Sequence, residues 1–289
     1  MKVSGFTFVR NGIKFDYPFI ESIKSILPLV DEMIVNVPSS EDETLDAVRN
    51  IKDKKIKIFE TEWEGDIPSG GKILSHHTNL ALEKCTGDWC FYIQADEIVH
   101  EEDYSSILQA MKDNLNDNSI DGLLFDYVHF YGSYDCVASA RNWYRREVRI
   151  IRNKRNIVSF ADAQGFRYAV SNAKVPVAYT GAKIYHYGWV RPIESMRTKT
   201  IAMDRLWHGG KKDEENKSLK YRAKQYGLRE FRGRHPKIMK ERIRKQKWSF
   251  NYDSRISSYR EFRYWTSDLI QKLTGLRPFE YKGYKLNKK

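Results

Sequence analysis

Strand and helix signals alternate through the first 93 residues, and that rhythm restricts the chain to few architectures. Val3 to Val9 is rich in β-formers, and Asp16, Tyr17 and Pro18 then offer an N-cap candidate and a first-turn proline for a helix reaching about Leu27. The strand Met33 to Val37 follows at the spacing of a βαβ unit. A helix near Leu45 to Asn50, a strand at Ile56 to Phe59, a helix near Leu74 to Glu83 and a strand at Trp89 to Ile93 continue the pattern. Parallel neighbours need crossovers of this length, so the expected class is α/β with a mostly parallel sheet flanked by helices. After Gly122, the segments GLLFDYVHFYGSYD, REVRIIRN and AKIYHYGW read as strands without helices of comparable length between them. From about Ile193 the chain turns helical and basic, with Gly209-Gly210 and His235-Pro236 as breaks. The expected division is a sheet domain over 1–192 and a helical extension over 193–289.

In open α/β sheets ligands collect outside the carboxyl ends of the strands. Arg10-Asn11, Pro38-Ser39-Ser40 and Gln94-Ala95-Asp96 all fall there. The last of these is the most telling, because the apolar run Cys90 to Ile93 passes into Gln94, Ala95, Asp96 and Glu97 with no turn residue between. Carboxylates at the end of a buried strand are costly unless a metal, a cation or water satisfies them. The alternative is a strand that simply surfaces.

Charge divides the chain in two. Residues 1–140 hold 12 Lys and Arg against 25 Asp and Glu, a balance of −13; residues 141–289 hold 38 against 13, or +25. A basic field of that size attracts phosphate-bearing ligands, anionic lipid or nucleic acid, and also offsets the acidic half. No apolar run approaches a membrane span, and MKVSGFTFVRNG is too short in apolar residues for a signal peptide, so the expected location is the cytoplasm, with peripheral contact at the inner membrane face as an extension of that reading. From Lys211 onward, Lys and Arg mix with Trp and Tyr in a composition that suits a lipid headgroup layer or a solvated helical face; no clean apolar stripe stands out, which favours the second. Cys85, Cys90 and Cys136 have no paired spacing and are read as buried thiols.

Two further segments carry polar groups to candidate ligand positions. GGKILSHHTNLAL opens a helix with Gly70, Gly71 and Lys72, whose amides and ammonium suit a phosphate, although no Walker or GxGxxG spacing is present. His186, in IYHYGW, would bring an imidazole to the same ion as Asp96 or Glu97, and such a set suits Mn2+ or Mg2+. A histidine between tyrosines is more often a hydrogen-bonded core residue. Trp189 offers a stacking face for a sugar or base, or packing alone.

The order of these pieces, RN after the first strand, an Asp/Ser/Thr cluster after the second, TNLALEKCTGDWCFYIQADE and a late YHYGW, resembles family 2-type glycosyltransferases of the GT-A fold over about residues 1–192. FRGRHPKIM and EYKGYKL resemble the ends of a bacterial subgroup. The resemblance implies a nucleotide-diphosphate sugar donor held by Arg10, Asn11, Ser40, Asp42, Lys72, Asn79, Gln94, Asp96 and Trp189, with a divalent ion on Asp96 and His186. The family's Asp-x-Asp element reads Gln94-Ala95-Asp96 here, so the first carboxylate is absent. Its Asp-Asp-Gly-Ser-x-Asp-x-Thr becomes Val37 to Thr44, with Pro38 where an aspartate would read the nucleoside. It also implies an acidic base beyond the strand VSF; Asp162 is the nearest carboxylate and Glu97 the substitute.

The expected activity is inverting, metal-assisted sugar transfer to an acceptor hydroxyl on a carbohydrate, a lipid-linked molecule or a protein. A sugar nucleotidylyltransferase would show a glycine-rich loop directly after the first strand, and FVRNGIKFDYP has one glycine. A non-catalytic module gripping nucleic acid or anionic membrane is the rival of another class. No recognised nucleic-acid motif is present, and nucleic acid is not an expected partner.

Overall fold

In the computed structural model, which describes residues 1–64, 70–209 and 218–287, one mixed sheet of eleven strands organises the chain. Its amino-terminal strands are β1 (Val3–Phe8), β2 (Glu32–Pro38), β3 (Ile56–Thr61), β4 (Trp89–Tyr92) and β5 (Glu97–Val99). The later ones are β6 (Gly122–Tyr131), β7 (Ser133–Ala138), β8 (Arg146–Arg152), β11 (Pro176–Trp189), β12 (Leu228–Glu230) and β13 (Lys285–Leu286), while β9 (Ile157–Phe160) and β10 (Gly165–Tyr168) form a separate hairpin. Strands β4, β1, β2 and β3 pair in that order and in parallel. They are joined through α1 (Phe19–Ile26), α2 (Thr44–Arg49) and α3 (Lys72–Leu82). The remaining helices are α4 (Tyr104–Asp113), α5 (Ile193–His208), α6 (Lys240–Arg244) and α7 (Tyr259–Thr274). The alternating signals of the first 93 residues thus produce the expected parallel core. Beyond it, β8 runs antiparallel to β4, and β6 joins β8 to β11.

Burial follows the sequence pattern. Phe6, Trp89, Phe91, Phe125 and Ile150 lie wholly inside, and the Trp89 indole donates to the Met111 carbonyl at 3.1 Å. The three cysteines are buried and free, as read.

The entry to α1 departs from expectation. Pro18, not Asp16, stands at the N-cap; Asp16 takes a left-handed φ of 52° and pairs its carboxylate with Arg242. That pairing ties the first loop to α6, so a long-range ion pair has displaced the local capping bond.

The acidic junction after β4 does not surface. It turns and continues as β5, which pairs antiparallel with β11 and sets Glu97 opposite His186. Helix α1 braces the turn, the Ser22 hydroxyl donating to the Gln94 carbonyl at 2.7 Å while the Ser25 hydroxyl accepts from the Val99 amide at 3.1 Å. Asp96 and Glu97 therefore sit on fixed backbone, both buried. Gly210 and the start of the basic run, Lys211 to Lys217, lie outside the described residues.

Candidate active site

A cavity of about 270 Å³ opens at the carboxyl ends of β1 and β4. Phe8, Arg10 and Trp63 line its rim; Gln94, Asp96 and His186 line its floor; Asp162 enters from the β9–β10 loop. Lys199, Ala202, Met203 and Leu206 of α5 close it from the far side. The expected boundary between residues 192 and 193 thus falls between elements that share one cavity.

On the floor, the Lys199 ammonium lies 3.4 Å from Asp96 Oδ2 and donates to the Gly188 carbonyl at 3.0 Å. Asp96 Oδ1 stands 3.9 Å from His186 Nε2. Gly188 makes this crowding possible, since a Cβ there would come within 2.4 Å of His186 Nε2 and 2.8 Å of Asp96 Oδ2. Arg191 donates to the same Gly188 carbonyl at 2.9 Å and lies 4.6 Å above the Tyr17 ring. Burial pulls the Asp96 carboxyl upward, but the charges of Lys199 and Arg191 outweigh it and hold the group below the usual carboxylate range. Burial brings Lys199 down to about 8, with Arg191 adding to the fall and Asp96 opposing it.

A relay of neutral imidazoles orients His186. His129 Nε2 lies 2.6 Å from the Tyr144 carbonyl, which can only accept, so that nitrogen carries the proton and His129 Nδ1 is left as an acceptor. His186 Nδ1, 3.0 Å away, must then donate, which leaves His186 Nε2 with its lone pair toward Asp96. Burial depresses the pKa of both rings and keeps them neutral. His186 thus has one nitrogen fastened and the other open toward Asp96.

Asp162 is presented by strained backbone. Ala161 and Ala163 on either side take φ of 52° and 63°, a region that costs a non-glycine residue roughly 1–3 kcal/mol. The loop is held because the Ala163 carbonyl accepts from Gln94 Nε2 at 3.1 Å and the Gln164 carbonyl accepts from Arg149 at 2.8 Å.

Glu97 has no part in this cavity, which corrects its reading as a substitute base. It is fully buried, and its oxygens accept from Arg149 at 2.7 and 2.8 Å, from the Tyr127 hydroxyl at 2.7 Å and from the Gln94 amide at 3.1 Å. A carboxylate with four donors has little capacity left for a substrate proton.

The structure divides the other expected donor-binding residues. Arg10, Gln94 and Asp96 line the cavity, and the Arg10 guanidinium lies 4.4 Å above the Trp63 ring. Asn11, Ser40 and Asp42 do not line it; they clasp two loops together. The Asn11 side chain accepts from the Glu41 amide at 2.8 Å, the Ser40 hydroxyl accepts from the Asn11 amide at 3.2 Å, and Asp42 accepts from the amides of Lys14 at 2.6 Å and Thr44 at 3.0 Å. Asn79 is likewise committed, accepting from the Ser159 amide at 2.8 Å and donating to its carbonyl at 3.0 Å. Lys72 is exposed in the first turn of α3, outside the cavity lining. Trp189 stacks on Tyr131 with centroids 6.0 Å apart, beyond the cavity. Sequence reasoning missed Lys199, Trp63 and Tyr17. Only Lys199 left a trace, a lysine on an otherwise apolar face of the α5 segment.

No curated protein matches the chain. Solved structures that align with it include S. aureus TarS 1–349, at 16% identity over 75% of this chain and 68% of that one, with a TM-score of 0.42. The mannosyltransferase PcManGT from Pyrobaculum calidifontis, in complex with GDP-Man and Mn2+, aligns at 21% identity over 42% and 34% of the two chains, with a TM-score of 0.32. Glucosyl-3-phosphoglycerate synthase from Mycobacterium tuberculosis, in complex with Mn2+, UDP-glucose and phosphoglyceric acid, aligns at 20% identity over 44% of each chain, with a TM-score of 0.31. The family model described as glycosyl transferase family 2 matches residues 11–173, more than half of the chain and every strand from β2 to β10. On that match the chain belongs to glycosyl transferase family 2.

Proposed function

We propose that the cavity binds a nucleotide-diphosphate sugar and transfers the sugar to an acceptor hydroxyl with inversion of the anomeric carbon. The observation that carries this reading is the convergence in one cavity of a cationic, carboxylate-anchored floor and a separately presented carboxylate, Asp162. The nucleoside lies toward Arg10, Phe8 and Trp63, where an aromatic face and a guanidinium suit a base. The diphosphate lies over Asp96, His186 and Lys199. Asp162 accepts the proton of the acceptor hydroxyl as that oxygen bonds to the anomeric carbon, and the bond from that carbon to the diphosphate oxygen breaks. The leaving diphosphate carries away the electron pair, and the Lys199 ammonium stabilises it.

A divalent ion fits the floor in outline. Asp96 and the lone pair of His186 Nε2 would hold it; among the described residues no group of three or more His, Cys, Asp or Glu is placed to do so alone. Bound there with phosphate oxygens, Mn2+ or Mg2+ would neutralise charge on the leaving group.

The acceptor class is a carbohydrate, a lipid-linked molecule or a protein, and the basic half, at +25, favours an anionic one. A panel of nucleotide sugars tested for thermal stabilisation, with product configuration read by NMR, examines the reading. Stabilisation by one donor class and an inverted product support it. A protein that no nucleotide sugar stabilises, with or without Mn2+, would not be acting on such donors.

A further inference from the structure

Lys199 is the cavity lysine that reaches the floor carboxylate, and it comes from α5 rather than from the strand ends. Its ammonium occupies the side of Asp96 Oδ2, stands over the Tyr17 ring at 5.1 Å and is anchored by the Gly188 carbonyl. An ammonium has three donors, and two of its partners are accounted for by Asp96 and Gly188. Position, burial and remaining capacity make it a cation aimed at whatever anion enters. We infer that Lys199 is the resident diphosphate cation of this site, so that donor binding persists when no divalent ion is present. The inference rests on the donor assignment above and adds a residue that the strand-end motifs do not contain.

The test is calorimetric titration of the full chain with pyrophosphate and with UDP, in EDTA and in Mn2+. Wild type is expected to bind in EDTA within a few-fold of its affinity in Mn2+. In EDTA, Lys199→Met should lose roughly 10–100-fold, the worth of a charged hydrogen bond, while Lys199→Arg retains most of the affinity. Wild-type binding seen only with Mn2+ overturns the inference, and needs no variant to fold. So does Lys199→Met binding as tightly as wild type in EDTA. Failure of both probes under both conditions overturns the donor assignment itself.

A second observation concerns the outer surface. Helix α7 presents its apolar residues to solvent: at 100° per residue, Tyr259, Phe262, Leu269, Ile270 and Leu273 share an arc of about 100°. Tyr259 is 79% exposed and Leu273 77%. A stripe therefore exists where the sequence reading found none, because it faces away from the core. Arg263 borders one edge, and Trp265 and then Lys272 border the other. The three acids of this segment turn inward: Glu261 is buried against Arg222 and Ser257, Asp268 binds Arg277 and Tyr226, and Glu280 binds Arg145. What remains outside carries no acid: it is apolar and cationic, with Thr266 within the arc. We propose that this face of α7 lies on an anionic lipid surface, the apolar stripe among the acyl chains and the basic rim among the headgroups.

Flotation of the full chain with vesicles of phosphatidylglycerol and phosphatidylcholine, against phosphatidylcholine alone, tests the proposal. Capture by the anionic vesicles, weakened by salt, is expected, and Leu269→Glu with Leu273→Glu should reduce it by roughly tenfold or more. Both positions are exposed, so the fold is not at risk. No capture at low salt overturns the proposal, as does capture that the double variant leaves unchanged. A salt-insensitive dimer that the variant dissolves, without vesicle capture, would reassign the face to a second copy of the chain.

Discussion

Around the mouth of the cavity, Asn11, Ser40 and Asp42 commit their polar atoms to neighbouring backbone; on its floor, Asp96, His186 and Lys199 keep lone pairs and protons facing the void. Apart from Lys199, which α5 brings in, both sets stand at or near strand ends, and both are the polar residue types from which ligand sites are built. Their difference lies in satisfaction. A buried polar group whose partners are all internal is a fastening, whereas one left with capacity is poised for a ligand. Adjacent Asp96 and Glu97 give the same lesson within one peptide unit. The first shares a single lysine with open space; the second is closed in by four donors.

The sharpest way to break this comparison is on the floor and the Asp162 loop. Asp162→Asn should keep donor affinity and lose transfer by roughly 10²–10⁴-fold, because a base acts on the acceptor and not on the nucleotide. Single-turnover transfer alongside donor titration reads both. Unchanged transfer would send the search for the base elsewhere in the cavity. Asp96→Ala, its neighbour on the floor, should leave the fold standing while donor binding weakens.

Glu97→Ala tests the sealed side. It leaves Arg149 buried and unpaired, which costs about 3–5 kcal/mol in such pairs, so the melting temperature should collapse. A stable variant that cannot transfer sugar would return Glu97 to the chemistry.

Glu147 offers a third contrast, a carboxyl that is buried but incompletely served. Its Oε1 accepts from Gln164 at 2.8 Å and its Oε2 has no partner. Burial raises it from 4.5 to about 7, with Arg149 and the Gln164 bond opposing the rise. The folded state therefore binds the proton more tightly than the unfolded chain. Its contribution is full below pH 4.5 and is lost as pH rises through about 7. Unfolding free energy should fall across that window by up to about 3 kcal/mol, and Glu147→Gln should flatten the profile. Melting curves from pH 5 to 8 for both proteins decide it; parallel profiles would mean that Glu147 ionises freely.

The smallest effect belongs to the mouth. Asp42→Ala should cost about 1–2 kcal/mol, as lost caps do, with donor affinity within about twofold. A large loss of affinity at full stability would make the clasp a binding element after all.

How far the sequence disclosed these two regions follows from the range of the forces involved. The parallel core was legible because each strand and crossover announces itself within a dozen residues, and the family order of motifs brought Asp96, His186 and Asp162 to attention. The clasp was not legible because Ser40 and Asp42 have identical local signatures whether they face a nucleotide or the Asn11 loop. Strand β5 was hidden since its partner residues in β11 lie 85 to 89 positions onward, and pairing alone makes three residues a strand. The left-handed alanines escaped notice because alanine carries no turn signal, and their conformation is imposed by Gln94 and Arg149. Lys199 stands 103 residues from the carboxylate it meets. No window of sequence spans that separation.

The descent of α5 into the cavity has a consequence for how such chains change over generations. A segment that only addressed the enzyme to its acceptor could be exchanged wholesale between lineages, leaving the reaction untouched. Here the same exchange would replace Lys199, the cation inferred above to meet the donor's phosphates. On that inference, recombination near residue 192 would alter the site together with the extension, and a hybrid joined at that point would need an incoming helix that carries its own cation to Asp96.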